Sequence, residues 1–202
     1  MPRYPASPRT AHAPHEVRII GGQWRRTRLP VADIPGLRPT PDRVRETLFN
    51  WLGQDLSGWR CVDAFAGTGA LGLEAASRGA AQVLLVEQDP ALVAQLKRIT
   101  ARLDAQNVQV QRGDGVAALR VQPAGGADLV LLDPPFEATA LFAPALAAAA
   151  QATRANGWVY LESPERADEA ALQALGLAVH RHLKAGAVHA HLLQRAAAGG
   201  AA

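Results

Sequence analysis

Apolar residues recur at two spacings along this chain. The stretches 60–65 (RCVDAF), 82–87 (QVLLVE), 108–112 (VQVQR), 127–133 (ADLVLLD) and 157–163 (GWVYLES) are short, Val- and Leu-rich, and bounded by charged or turn residues. That pattern predicts β-strands. Between them, residues 70–79, 90–104, 114–120, 140–153 and a segment near 166–175 carry helical spacing, the first closed by Gly79. Strands alternating with helices predict a parallel sheet covered on both faces and wound by right-handed crossovers. The chain then changes character. AVHRHLK and VHAHLLQR, joined across AGA, predict an antiparallel hairpin at the sheet edge and bring the count to seven strands. Ahead of the sheet, VRIIGGQWRRTRLPV (17–31) predicts another hairpin, with Gly21-Gly22 at or near its turn. RPTPDRVRETLFNWL (38–52) predicts a helix opening near Pro41. Thr40 or Asp42 is its expected cap, and Val44, Leu48, Phe49 and Leu52 form its apolar stripe. The fold class is therefore α/β, Rossmann-like, with a small N-terminal hairpin-and-helix extension.

Composition divides the chain into four segments. Residues 1–16 are Pro- and Arg-rich and read as a disordered leader, 17–53 as the extension, 54–195 as the main domain, and 196–202 as a flexible tail. The one cysteine, Cys61, excludes an internal disulfide and suits a reducing compartment. No apolar run approaches the ~20 residues of a membrane span, and the N-terminus lacks the apolar core of a signal peptide. A monomeric cytoplasmic protein is expected.

The net charge of +3 hides an asymmetry. Residues 1–45 hold nine Arg against Glu16, Asp33 and Asp42, while the remainder is mildly acidic. A basic end on an acidic body suggests a polyanion bound at that end. Arg25, Arg26 and Arg28 on the hairpin are the leading candidates to meet it. Trp24 beside them is either a stacking ring or a staple holding the hairpin down.

DAFAGTGALG (63–72) satisfies G-x-G-x-x-G between a predicted strand and helix, with Glu87 ending the next strand. Such a loop at the carboxyl ends of parallel strands forms a ligand crevice. A dinucleotide would place its pyrophosphate at the helix N-terminus. Here Asp63 stands four residues before Gly67, and an anion there repels phosphate. It suits S-adenosylmethionine, which carries an ammonium, a sulfonium and a ribose but no phosphate. Glu87 is placed for the ribose hydroxyls, and Asp114, after the third strand of the sheet, for the adenine amine.

The fourth strand of the sheet ends in Asp133-Pro134-Pro135-Phe136. In this winding it lies beside the first strand, so Asp133 emerges next to the glycine loop. The amine of a nucleobase is a poor nucleophile because its lone pair is delocalised. A carboxylate and a backbone carbonyl can accept its two N–H bonds and hold the nitrogen as it pyramidalises. Two prolines stiffen that backbone and remove two N–H donors. Phe136 offers a face for a splayed or flipped base.

On these residues the chain resembles the class I methyltransferases of exocyclic amines and, more closely, the RsmD family, bacterial methyltransferases of a guanine N2 in small-subunit (16S) ribosomal RNA. The resemblance is carried by RIIGGQWRRTRL (18–29), GLRPTPDRVRETLFNWL (36–52), DAFAGTGALGLEAASRGA (63–80), LVEQD (85–89) and LLDPPF (131–136). It implies that Asp63, Phe65, Gly67, Thr68, Gly69, Glu87, Gln88 and Asp114 hold S-adenosylmethionine. It implies a methyl-transfer site at Asp133, Pro134, Pro135 and Phe136. It further implies that Arg25, Arg26, Arg28, Arg38, Thr40, Arg43 and Arg45 meet ribosomal RNA.

His180, His182, His189 and His191 form two H-x-H pairs on neighbouring strands, a spacing able to hold zinc. Amine methylation needs no metal, the hairpin is expected far along the sheet, and no metal is expected. Three alternatives stay open: an adenine-N6 methyltransferase of DNA or RNA, a nicotinamide oxidoreductase, and a non-catalytic RNA-binding ribosome-assembly factor.

Overall fold

The computed structural model describes residues 16–32 and 40–197. The expected leader (1–16) falls almost wholly outside this range, as does most of the expected tail (196–202). Arg38 lies outside it as well.

Seven strands form one sheet: β3 (Arg60–Asp63), β4 (Gln82–Glu87), β5 (Val108–Arg112), β6 (Ala127–Leu132), β7 (Thr153–Ser163), β8 (Leu177–Ala185) and β9 (Val188–Arg195). Their order across the sheet is β5-β4-β3-β6-β7-β9-β8. The first five run parallel, and β9 pairs antiparallel with both β7 and β8. Most helices fall between strands: α2 (Ala70–Ser77), α3 (Pro90–Arg102), α4 (Gly115–Arg120), α5 (Phe142–Ala152) and α6 (Glu169–Ala174). Two apolar clusters sandwich the sheet. One is built on Leu73, Leu85, Leu96 and Tyr160, the other on Val62, Val130, Leu161 and the alanines of α5. Alanines at 145, 148, 149 and 152 let α5 approach the strands closely.

The extension comprises a two-stranded antiparallel sheet, β1 (Glu16–Arg18) with β2 (Arg28–Pro30), followed by α1 (Asp42–Trp51). Its chain reversal is displaced from Gly21-Gly22. Arg26 N donates to Ile19 O, Thr27 N to Trp24 O, and Arg26 itself is left-handed at φ 71°. Gly21 and Gly22 instead dock on α2. A Cβ on Gly22 would stand 1.8 Å from Ser77 O, and the residue has φ +72°, so only glycine fits there. Ser77 completes the seam: its carbonyl accepts from Gln23 N, and its Oγ accepts from Trp24 N and donates to Gly21 O.

That seam explains why all eight residues of α2 are buried. The helix lies between the sheet and the extension, so it needs an apolar surface all round. Trp24 packs half-buried against the core, which favours the staple. The expected cap of α1 is not formed. Pro41 occupies the N-cap without a side-chain bond, Thr40 turns toward Asp133, and Asp42 pairs with Arg18 and Arg45.

Candidate active site

The glycine loop leaves β3 at Asp63 and enters α2 at Ala70. Gly69 precedes the helix at φ +81°, where a Cβ would lie 2.7 Å from the Leu96 side chain. Asp63 is 1% exposed, and its Oδ2 accepts from Gly72 N at 2.9 Å. Its carboxylate therefore sits at the opening turn of α2, where a dinucleotide would need to put its phosphates. Asp63 Oδ1 is buried without a hydrogen-bond partner. Burial first, and Glu87 in lesser measure, push this carboxyl up to about 7 against the pull of the Gly72 and Phe65 backbone N–H groups. A buried acid with one bare oxygen, on a loop without a basic side chain, fits a cationic group such as the ammonium of S-adenosylmethionine.

Glu87 ends β4 half-buried. Its Oε2 accepts from Gly67 N at 2.9 Å and its Oε1 from Asp89 N at 2.8 Å, which fixes both oxygens at the crevice. Asp114 is exposed and caps α4, one oxygen accepting from Ala117 N at 2.7 Å, so its other oxygen alone is free of that cap. Thr68 is buried, Phe65 packs half-buried on the core, and Gln88 is exposed.

Because β6 pairs directly with β3, Asp133 emerges next to Asp63. Asp133 is half-buried, Pro134 buried, Pro135 exposed and Phe136 half-buried. Thr40 Oγ1 donates to Asp133 Oδ2 at 3.3 Å. Burial, then Glu162, then Asp63 hold the Asp133 carboxyl well above the usual range. Glu162, the penultimate residue of β7, is 2% exposed and accepts from Tyr160 Oη at 2.8 Å. The carboxyls of Asp63, Asp133 and Glu162 thus belong to three adjacent strands. Sequence reasoning gives Glu162 no part. Its signal is nevertheless legible, since it stands one residue from the carboxyl end of its strand, much as Glu87 and Asp63 stand at the ends of theirs.

The expected RNA-binding residues divide. Arg25, Arg26, Arg28 and Arg43 are exposed; Arg28 pairs with Glu16 at 3.1 Å. Arg45 is corrected. It is fully buried, donating to Thr40 O, Arg18 O and Asp42 Oδ1, and lies 3.6 Å from Glu74. Thr40, 4% exposed, faces Asp133 and is likewise closed to a phosphate.

His182, His189 and His191 gather on one face of the β8–β9 hairpin, with candidate ligand atoms within 4.8 Å of one another. His182 Nε2 and His189 Nδ1 are 3.0 Å apart, and His191 Nε2 accepts from Ala167 N. His180 lies apart, edge-on to Trp158. The cluster lies on the edge hairpin, β9 standing three strands from β3, and His189 pairs with Ser163 at the carboxyl end of β7.

Asp63 yields a stability prediction. An acid near 7 when folded, against 3.8 in the unfolded chain, binds its proton more tightly in the fold. Its contribution is therefore present at low pH and lost as pH rises from about 4 to about 7. Asp63→Asn keeps an acceptor for Gly72 N–H and removes the buried charge. Cofactor-free Asp63→Asn should be more stable than wild type at pH 8, by an order of a few kcal/mol at 1.36 per unit, and the gap should close near pH 4. Thermal melts across pH test this; equal melting curves at pH 8 would contradict the buried-charge assignment.

A family model described as Conserved hypothetical protein 95 matches residues 17–194. The Ribosomal RNA small subunit methyltransferase D of Escherichia coli K12 is 43% identical over 190 residues, covering 91% of this chain and 92% of that protein. The protein of the same name from Haemophilus influenzae is 45% identical over 131 residues, 63% of this chain and 67% of its own. The solved structure of yhhF from Escherichia coli superposes with a TM-score of 0.77 at 38% identity, covering 90% of this chain and 98% of that one. The chain belongs to this family, the RsmD family.

Proposed function

We propose that the chain transfers a methyl group from S-adenosylmethionine to the exocyclic N2 amine of a guanine in small-subunit ribosomal RNA, as a monomer in the bacterial cytoplasm. The observation that carries this reading is the buried Asp63 carboxylate at the start of α2, one oxygen bare, beside Asp133-Pro-Pro-Phe on the neighbouring strand. The first feature selects a cationic cofactor over a dinucleotide. The second selects an amine of a base.

When bound, S-adenosylmethionine supplies an electrophilic methyl on a sulfonium. The chain's own part is positioning, which can contribute ~7–11 kcal/mol. Asp63 would hold the ammonium, Glu87 the ribose hydroxyls, and the uncapped oxygen of Asp114 the adenine amine. Phe65, Gly67, Thr68, Gly69 and Gln88 would line the cradle. Asp133 and the Pro134 carbonyl would accept the two N–H bonds of the target amine, and Phe136 would stack on the base. A guanine N2 lies on the minor-groove edge of its pair, so the base must be unpaired or flipped to reach this site. The name shared by the relatives supports ribosomal RNA of the small subunit as substrate. Segment 17–53 would be the RNA-binding extension and 54–195 the catalytic domain. Titration calorimetry tests the cofactor: binding of S-adenosylmethionine without NAD is expected, and NAD alone would overturn the reading.

Arg25, Arg26 and Arg28 are exposed on the hairpin and should meet phosphates. Replacing all three with Ala should flatten the slope of log affinity against log salt by up to ~0.7–0.9 for each phosphate no longer neutralised. Cofactor affinity should not move. An unaltered slope would remove the hairpin from the RNA interface.

A further inference from the structure

Thr40 has the side chain of a helix cap and does not cap. It stands directly ahead of α1, whose N-cap, Pro41, makes no side-chain bond. Thr40 is 4% exposed, and its hydroxyl donates to Asp133 Oδ2 at 3.3 Å across 93 positions of sequence. Among the described residues, no second hydrogen bond to the Asp133 carboxylate is formed. The backbone that carries this hydroxyl is held from two sides. A residue before proline is disfavoured in the helical region, so Thr40 does not join the first turn of α1. Arg45 Nε donates to Thr40 O at 3.2 Å. That guanidinium is buried and fixed in turn by Arg18 O at 2.8 Å and Asp42 Oδ1 at 2.6 Å. Arg18 belongs to β1. One buried cation therefore ties the hairpin to the residue that bonds Asp133.

We propose, resting on the methyl-transfer reading, that Thr40 is a positioning residue for Asp133: its hydroxyl holds Oδ2 and leaves Oδ1 to accept an N–H of the target amine. The terminal torsion of an aspartate is broad and roughly two-fold. Its two oxygens are alike until a neighbour distinguishes them. One donated bond selects a single carboxylate plane, and the lone pair of the amine is aimed relative to that plane. A carboxylate free to turn loses rate rather than binding, because orientation is what the site contributes.

The bond is longer than the usual ~2.5–3.0 Å of an O–H···O pair, as catalytic contacts commonly are before substrate closes the site. The hydroxyl has one proton to give, and giving it to Asp133 favours the ionised form, the one able to accept from an amine. The placement also explains why α1 goes without a side-chain cap. The extension is then more than a grip on RNA, since it completes the methyl-transfer site with a side chain that no phosphate reaches.

The test compares Thr40→Val, Thr40→Ala and Thr40→Ser in the full-length protein. Valine and alanine remove the hydroxyl, and serine keeps it. Thr40→Val and Thr40→Ala should lower the single-turnover rate by roughly 10-fold, with RNA KM and cofactor Kd moved by less than about 2-fold, and Thr40→Ser should recover most of the loss. In an Asp133→Ala background the hydroxyl has nothing to hold, so Thr40→Val should slow transfer no further. Equal losses in both backgrounds, or a Thr40→Ser as impaired as Thr40→Val, would mean that Thr40 acts through the fold alone, and the proposal fails. Carboxyl carbon NMR on the cofactor-free protein decides the same point without turnover. The Asp133 resonance is identified by its loss in Asp133→Asn. Its titration midpoint should rise in Thr40→Val and Thr40→Ala, where the donated bond is gone, and return in Thr40→Ser. Asp63, Glu162 and Tyr160, the titratable groups facing Asp133, are unaltered in all of these variants. An unmoved midpoint would overturn the proposal. Absence of methyl transfer by wild type would count against the methyl-transfer reading, and the NMR result would still decide whether Thr40 holds Asp133.

Discussion

Asp133→Ala is expected to lower methyl transfer by at least ~10²-fold, about 2.7 kcal/mol on the scale of 1.36 per decade. On the proposed reading the residue supplies one of the two acceptors for the amine, and alanine would leave only the Pro134 carbonyl. It directly follows β6, whereas the expected cofactor residues stand at the end of β3, on the loop after it and at the end of β4. S-adenosylmethionine affinity should therefore change little. Asp63→Ala and Glu87→Ala should do the reverse and weaken the cofactor first. Removing Asp133 also removes a carboxylate that crowds Asp63 and Glu162, so the variant should fold at least as stably as wild type. Calorimetry and single-turnover rates on the three variants separate the roles. Loss of cofactor in Asp133→Ala with retention in Glu87→Ala would reverse the assignment.

The largest effect on stability is expected at Glu74, far from the chemistry. This residue is 0% exposed. It accepts from Ile20 N and Gly21 N at 2.7 Å and from Arg78 at 2.8 Å, and it lies 3.6 Å from the buried Arg45. One carboxylate thus ties the hairpin, α1 and α2 together. Glu74→Ala would leave two guanidinium groups short of their counter-charge and two backbone N–H groups unpaired. Removing one partner of a buried ion pair costs about 3–5 kcal/mol, a large share of the ~5–15 kcal/mol of a typical domain. Melting should fall by on the order of 10 °C. Chemical denaturation measures the loss directly. A cost under about 1 kcal/mol, the scale of an exposed pair, would mean that water reaches this site.

The same hub marks the limit of what can be read from residues alone. Strands at 82–87 and 108–112 and the reversal at Gly79 follow from local pattern, because a continuous Val/Leu run or a left-handed glycine reports itself within a few residues. The glycine loop and the Asp-Pro-Pro-Phe turn are legible for the same reason. Arg45 reads as a phosphate ligand because it stands in a basic stretch. Yet it lies four residues before Phe49 and seven before Leu52, on the apolar stripe of α1. A cation on that stripe implies a buried partner, but the partner is 29 positions away in sequence and no periodicity announces it. Glu74 carries a matching sign, as the single charged residue in the helix ALGLEAAS. The bond from Thr40 to Asp133 spans 93 positions and exists only through the tertiary fold. The strand at Thr153 begins four residues ahead of the run at 157–163, since Thr153 pairs with Ala127 across a register shift whose extra residues, 154–157, lie on β7 and follow no apolar pattern.

The central claim, an amine methyltransferase of small-subunit ribosomal RNA, is tested most directly by identifying the modified nucleoside. Small subunits and their free RNA, taken from a strain lacking the corresponding methyltransferase, would be incubated with the protein and labelled S-adenosylmethionine, then digested. Label in N2-methylguanosine is the expected result, abolished by Asp133→Ala. Label in N6-methyladenosine, or in DNA alone, would contradict the substrate while sparing the site chemistry. No transfer to any nucleic acid by protein that binds the cofactor would contradict the enzyme itself.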